Sequence, residues 1–287
     1  MLLPNVVPKN KIMKMKKIQG CGLGLRRDFI DELTGAHERP DWLEVTPENW
    51  FFTPHRYKET FEHMMSEYAV IAHGVSLSIG SPEPVDKSFL NQMKAFLDRY
   101  DIKHYSEHIS FSSLAGKQTY ELLPLPMTKA MIAHLSQKIA SVQDILERPL
   151  ILENASYYIS PYSEMAEVDF LCEVLEKSDT KLLLDINNVY VNSVNHAFDP
   201  DAYIAQIPAS RVAYMHIAGH LEYPDDELLL DTHGETVCEN VWGLLERTLK
   251  THTAPVMIER DNNIPPLAEL MAEYRTLQSI VGGVKCN

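Results

Sequence analysis

From Gln19 onward the chain alternates two apolar patterns: short runs rich in branched residues, and longer stretches in which apolar residues return every three or four positions. The short runs read as strands. They are QGCGLGL (19–25), WLEVTPE (42–48), AVIAHGV (69–75), HYSEHISF (104–111), PLILENA (149–155), KLLLDIN (181–187), VAYMHIA (212–218) and PVMIERD (255–261). Between them, DKSFLNQMKAFLDRY, TKAMIAHLSQKIASVQDILE and DFLCEVLEKS carry helical spacing. Strand, turn and helix in alternation is the pattern of parallel βα units, and eight such units close a barrel. Pro47, Pro82, Pro200, Pro265 and Pro266 fall where turns are needed. No internal repeat, low-complexity segment or Gly/Ser linker interrupts the series. The expected architecture is a single α/β domain, a (β/α)8 TIM barrel over residues 19–287, preceded by a flexible basic extension over residues 1–18. That head, MLLPNVVPKNKIMKMKKI, has five lysines and offers Met13 and Met15 as alternative starts.

The polar residues within these apolar runs cluster at one end. In such a barrel the loops after the strands converge on one mouth, so chemistry is expected at the C-terminal strand ends. There the sequence puts His73, Glu107 with His108, Glu153 with Asn154, Asp185, His216, and Glu259-Arg260-Asp261. Each alone is ordinary: a histidine at a strand end is more often a hydrogen-bonded structural group, and Asp185 can cap a turn. Together, several acids in one low-dielectric mouth repel one another unless cations compensate them. Imidazoles and carboxylates without thiolates form the ligand set of Fe, Mn or Zn centres. His73, His108, Glu153, Asp185, His216, Asp231, His233 and Glu259 are the candidate metal ligands. At about three protein ligands per ion they imply two or three ions, with Glu153 on the central strand expected to bridge. Asp231 and His233 arrive from a loop and are expected to ligate one edge ion, with Gly234 permitting the turn. Glu107, Asn187, Asn188, His220 and Arg260 are candidates for supporting contacts. Glu107 should point to the opposite side of its strand from His108, and Arg260 is expected to pair with mouth acids or anchor a loop.

Composition narrows the partners. A net charge of -14, from 40 acids against 26 Lys and Arg, disfavours nucleic acid. Cys21, Cys172, Cys238 and Cys286 lie far apart, with neither a zinc-ribbon pattern nor a disulfide framework, which fits a reduced cytoplasmic compartment. No segment approaches the ~18 uninterrupted apolar residues of a membrane span, so no membrane partner is expected. The pair of glycines in CGLGLR lacks the third glycine of a dinucleotide site and is read as close packing at the first strand. The aromatics of ENWFF are read as core or mouth wall, and His196 as a loop residue.

The motifs GLGLR, DWLEVTPENWF, AHGVSLSIGS, SEHISFSS, ILENASYYI, LLLDINNVYVNSVNHAFDP, HIAGH, DTHGE and IERDNNIPPLAEL together resemble the multinuclear non-haem iron-dependent oxidases, from about Gly22 to Leu270. The resemblance implies a xylose-isomerase-like barrel holding two or three irons, mixed valence included, with Mn or Zn as substitutes on isolation. Family ligands match His73, His108, Glu153, His216, Asp231, His233 and Glu259; Asp185 is exchangeable with Asn187. It also implies dioxygen-dependent modification of cysteine in a ribosomally made precursor peptide, presented by a separate partner protein. Two enzyme classes compete on residues alone, divalent-metal sugar isomerases and phosphodiester hydrolases, and both use metal-lined barrel mouths. The isomerases want a Lys that no strand end supplies, and DNA hydrolases want basic residues that are scarce here. A peptide- or metal-binding protein without turnover is the non-enzymatic alternative.

Overall fold

The computed structural model describes residues 18–284 apart from Ala115, Pro224, Asp226 and Glu227. Eight parallel strands form a closed barrel in chain order: β1 (Cys21–Gly24), β2 (Trp42–Val45), β3 (Ala69–His73), β4 (Tyr105–His108), β5 (Leu150–Glu153), β6 (Lys181–Asp185), β7 (Val212–Ile217) and β8 (Val256–Ile258), which returns to β1. All eight runs expected from the sequence appear, each trimmed to its fully paired centre. The basic head lies outside the described residues except for Ile18.

Helices cover the barrel: α1 (Ile30–Gly35), α2 (His55–Glu67), α3 (Lys87–Arg99), α4 (Lys129–Leu146), α5 (Glu167–Ser178), α6 (Ile186–Asn195), α7 (Pro200–Gln206), α8 (Glu239–Thr248) and α9 (Leu267–Val284). Their starts follow local chemistry. Asp86, Thr128, Asp185 and Asp199 each accept from backbone N–H groups of the first turn. Helices bury their apolar stripe against the outer face of the strands in one large core. No helix among the described residues is long and apolar enough to cross a membrane.

The barrel interior explains how the site is built. Side chains on a strand alternate, so residues two apart face the same way. The lower interior is a separate apolar cluster of Trp42, Ala69, Ile71, Ile151, Leu183, Tyr214 and Met257. Two residues beyond six of these, toward the mouth, stand Glu44, His73, Glu153, Asp185, His216 and Glu259. Six of the eight strands thus carry a hydrophobic plug below and a polar group above. β1 contributes space instead: a Cβ on Gly22 would lie 2.4 Å from the Trp42 indole, so the glycine pair does serve close packing.

Two hairpins decorate the mouth. Phe111–Leu114 pairs antiparallel with Lys117–Leu123 after β4, and Leu221–Tyr223 pairs with Leu228–Leu230 after β7. The Leu-Leu-Leu run is therefore a hairpin strand, and it packs on α6. Of ENWFF, Trp50 is core and stacks on Phe61, whereas Phe52 is exposed.

Candidate metal centre

Three groups of side chains converge at the mouth, and within each group the ligand atoms lie within 4.8 Å of one another: His73, His108 and Glu153; Glu153, Asp185, His216 and Glu259; His233, Glu259 and Asp261. Glu153 belongs to the first two and Glu259 to the last two. The result is a row in which adjacent groups share a carboxylate. Glu153 Oε2 sits 3.1 Å from Nε2 of both His73 and His108, while its Oε1 is 3.6 Å from His216 Nδ1. Glu259 Oε2 is 2.7 Å from His216 Nδ1 and 3.1 Å from His233 Nδ1.

These contacts are close yet poorly aligned as hydrogen bonds. Both oxygens of Glu153, Oδ2 of Asp185, Nδ1 of His216 and Nε2 of His233 are buried without a hydrogen-bond partner. Buried polar atoms are almost always satisfied. Lone pairs that converge without pairing are what a shared cation would satisfy, so the donor set fits metal ions, and its N/O character fits Fe, Mn or Zn. The electrostatics agree. Burial lowers the His73 pKa, but Glu153, Glu44 and Glu259 outweigh it and push the imidazole up to about 10. His216 and His233 are likewise driven well above their ordinary value against burial, by Glu259 with Glu44 and by Asp231 with Glu259. Asp185 is pushed up to about 7, by burial first. Burial would raise Glu259, but His216 and His233 hold it well below the usual range. Without metal, the mouth meets its acids with protons.

The remaining expected residues fall into place with some corrections. Asp231 stands outside the three groups: Oδ1 accepts from Asn187 Nδ2 (2.7 Å) and Oδ2 from Ser156 Oγ (2.8 Å), with His233 Nε2 2.7 Å from Oδ1. Asp261 also stands beside His233, with Nδ1 to Oδ2 at 3.4 Å, and belongs to the third group. The left-handed turn falls on His233 itself, φ +46°, rather than on Gly234. Asn187 and Asn188 lie in the first turn of α6, because Asp185 Oδ1 caps that helix by accepting Asn188 N–H. Asn187 also contacts His220, Oδ1 to Nδ1 2.8 Å. Glu107 does point away from His108's side of the strand, and its Oε1 accepts from Ser76 N, Leu77 N and the Tyr105 hydroxyl. It fixes the loop after β3. Arg260 anchors a loop, donating to Gly234 O (2.9 Å) and Glu273 on α9 (2.7 Å), and among the described residues pairs with no mouth acid. His196 stacks on Tyr157 beyond the end of α6.

Sequence reasoning missed three contributors. Asp261 had a visible signal, since it lies two residues past Glu259 and so faces the same way. Arg26 pairs with Asp261 and lies 3.9 Å from Glu259. Glu44 is a buried acid in a four-residue apolar strand.

Above the row opens a cavity of about 420 Å³, walled by His73, His108, His233, Glu259 and Asp261 below and by Gln118, Glu121 and Leu122 of the first hairpin. Among the described residues, no Lys or Arg lines it.

Fold and site define a (β/α)8 barrel of the xylose-isomerase type whose mouth can hold metal ions. A family model described as RiPP precursor modification enzyme MbnB/TglH/ChrH matches residues 20–282, and the chain belongs to that family. It is 45% identical over 270 residues to a UPF0276 protein of Shewanella oneidensis, covering 93% of this chain and 95% of that one. A UPF0276 protein of Shewanella loihica is 47% identical over 258 residues, covering 89% and 92%. The fold is similar to a xylose isomerase domain protein from Planctomyces limnophilus (TM-score 0.59, 12% identity, 94% and 100% covered). It is also similar to the IOLI protein, solved with a binding zinc atom (TM-score 0.59, 10% identity, 93% and 99% covered).

Proposed function

We propose that this chain is a dioxygen-dependent, multinuclear non-haem iron oxidase that modifies cysteine in a ribosomally made precursor peptide, with a separate protein presenting the peptide. The observation that carries the reading is the row of three His/carboxylate groups joined through Glu153 and Glu259 under an open cavity. Family membership supports the peptide substrate class. The ligands in this reading are His73, His108, Glu153, Asp185, His216, His233, Glu259 and Asp261, with Asp231 orienting His233. Iron, when bound, supplies the one-electron and dioxygen chemistry.

The chain's own residues do the rest. Glu153 and Glu259 hold adjacent positions at a fixed spacing, Asp231 and Asn187 set the His233 ring, and Glu107 and Glu48 hold the backbone of Val75, Ser76 and Leu77 against the cavity. The hairpin carrying Gln118, Glu121 and Leu122 shields the mouth from water. A cavity whose described lining holds no Lys or Arg suits a neutral or cationic peptide segment. It is poorly suited to sugar phosphates or a nucleic-acid backbone, which disfavours isomerase and phosphodiesterase readings.

The test is co-expression with a cysteine-bearing precursor peptide encoded nearby and any adjacent partner, followed by peptide mass and oxygen consumption by iron-loaded protein. A mass change at cysteine with oxygen uptake, lost in the zinc-loaded form, is expected. Full iron loading with neither mass change nor oxygen uptake would sink the oxidase reading.

A further inference from the structure

Below the metal-facing atoms, one hydrogen-bonded chain links two of the three groups. His73 Nδ1 is 2.8 Å from Ser106 Oγ, Ser106 Oγ is 2.7 Å from the Tyr214 hydroxyl, and that hydroxyl donates to Glu44 Oε2 at 2.8 Å. From the other side His216 Nε2 reaches the same Glu44 oxygen at 3.0 Å. All five side chains are at most 2% exposed, so water has no ready access to replace a missing partner.

Donor counting gives the chain a direction. A carboxylate oxygen only accepts, and each hydroxyl has one proton to give. Tyr214 gives its proton to Glu44, so its oxygen accepts from Ser106. Ser106 in turn accepts from His73. The alternative acceptor for Ser106, the Ala72 carbonyl, is farther away at 3.3 Å and would leave the 2.7 Å contact with Tyr214 without a proton. The order is therefore His73 Nδ1–H to Ser106, Ser106 to Tyr214, Tyr214 to Glu44, and His216 Nε2–H to Glu44. With those nitrogens donating downward, Nε2 of His73 and Nδ1 of His216 face Glu153 and Glu259.

We propose that Glu44 is a positioning residue that fixes, through this single chain, which nitrogen of His73 and which of His216 is presented to the mouth, coupling the first and middle groups. Outer partners of this kind set ring orientation and ligand basicity. The inference rests on the metal-centre reading for its consequence, but the chain itself can be tested on metal-free protein.

The experiment compares wild type, Glu44→Gln and Tyr214→Phe, with near-UV circular dichroism confirming the fold. In metal-free protein, NMR should show slowly exchanging, strongly downfield N–H protons on His73 Nδ1 and His216 Nε2. Tyr214→Phe should turn Ser106 toward the Ala72 carbonyl, shifting the His73 proton upfield and speeding its exchange while sparing that of His216, whereas Glu44→Gln should perturb both. In a zinc titration followed on the two imidazoles, Glu44→Gln should weaken both groups about 10–100-fold and Tyr214→Phe only the first. A buried residue with a merely structural role would not produce that split. If neither substitution alters the N–H protons, or Tyr214→Phe alters both alike, the chain is wrong. If the N–H protons behave as stated while wild type takes up no zinc, the metal reading fails and the chain stands. If Glu44→Gln does not fold, Tyr214→Phe still decides by sparing or disturbing His216.

Discussion

Replacing Glu153 tests the shared-carboxylate arrangement most directly. Its Oε2 faces His73 and His108, and its Oε1 faces His216, so Glu153→Ala removes one of three donors from the first group and one of four from the middle group. Loss of an outer-shell partner already weakens metal binding by about 10–100-fold, so a direct donor is expected to cost at least the upper figure. That is ~100-fold, or ~2.7 kcal/mol, at each of two ions and ~5 kcal/mol over the pair. His108→Ala removes a donor from the first group alone and should cost ~2.7 kcal/mol at one ion. The assay is metal content by mass spectrometry after anaerobic purification, followed by metal titration, with circular dichroism as the folding check. The barrel should survive, because β5 is held by backbone pairing with β4 and β6 that the side chain does not make. A folded Glu153→Ala protein with wild-type metal content, or with loss at one position only, would refute the bridging role.

Four further outcomes follow from the structure. His233→Ala should lose at most one ion, at the edge group, and leave the barrel folded; a globally unfolded variant would make His233 structural instead. Metal binding at pH 7–8 should release protons, detectable with an indicator dye, and apparent affinity should rise with pH, because the metal-free protein keeps protons on His73, His216 and His233. For the metal-free fold the sign is opposite. The His73 pKa is raised from 6.5 to about 10, so its stabilisation is complete below about pH 6.5 and fades as pH climbs toward 10, where thermal melts should show a lower Tm. Gly22→Ala should destabilise by about 1–3 kcal/mol in chemical denaturation, since its Cβ would meet the Trp42 ring at 2.4 Å; unchanged stability would mean the lower barrel core can yield.

Much of this protein was legible in its sequence because strand periodicity writes burial and direction into one pattern. Ile151 and Glu153, Leu183 and Asp185, or Tyr214 and His216 each read as a hydrophobic plug with a polar group two residues on, and that spacing put the polar groups at one end. What stayed illegible was long-range or conformational. Nothing local to β2 says that Glu44 meets His216, 172 positions away. That Asp231 meets Ser156 and Asn187, and that Asp261 joins His233 at the edge, depends on where the second hairpin and α6 settle. The positive φ of His233 is equally a product of that loop's closure, and the neighbouring glycine drew the expectation one residue too far.

The charge pattern shows why such a mouth tolerates its own acids. Glu44, Glu153, Asp185 and Glu259 converge within one buried region with the exposed Asp261 at its edge, and among the described residues Arg26 is the guanidinium that reaches them, through Asp261 and Glu259. The deficit of positive charge is met in the metal-free chain by imidazoles held protonated far above their ordinary range. Each such proton sits on a nitrogen that a metal ion would need. Proton loss and metal uptake are therefore one exchange, in which the fold stays compensated throughout and the barrel need not rearrange. Arg26 differs, because its charge cannot leave. It offsets Asp261 and Glu259 permanently, so of the three groups the edge one has the least to gain from a cation. The edge ion is accordingly expected to be the first lost on chelation, with Arg26 as the cause.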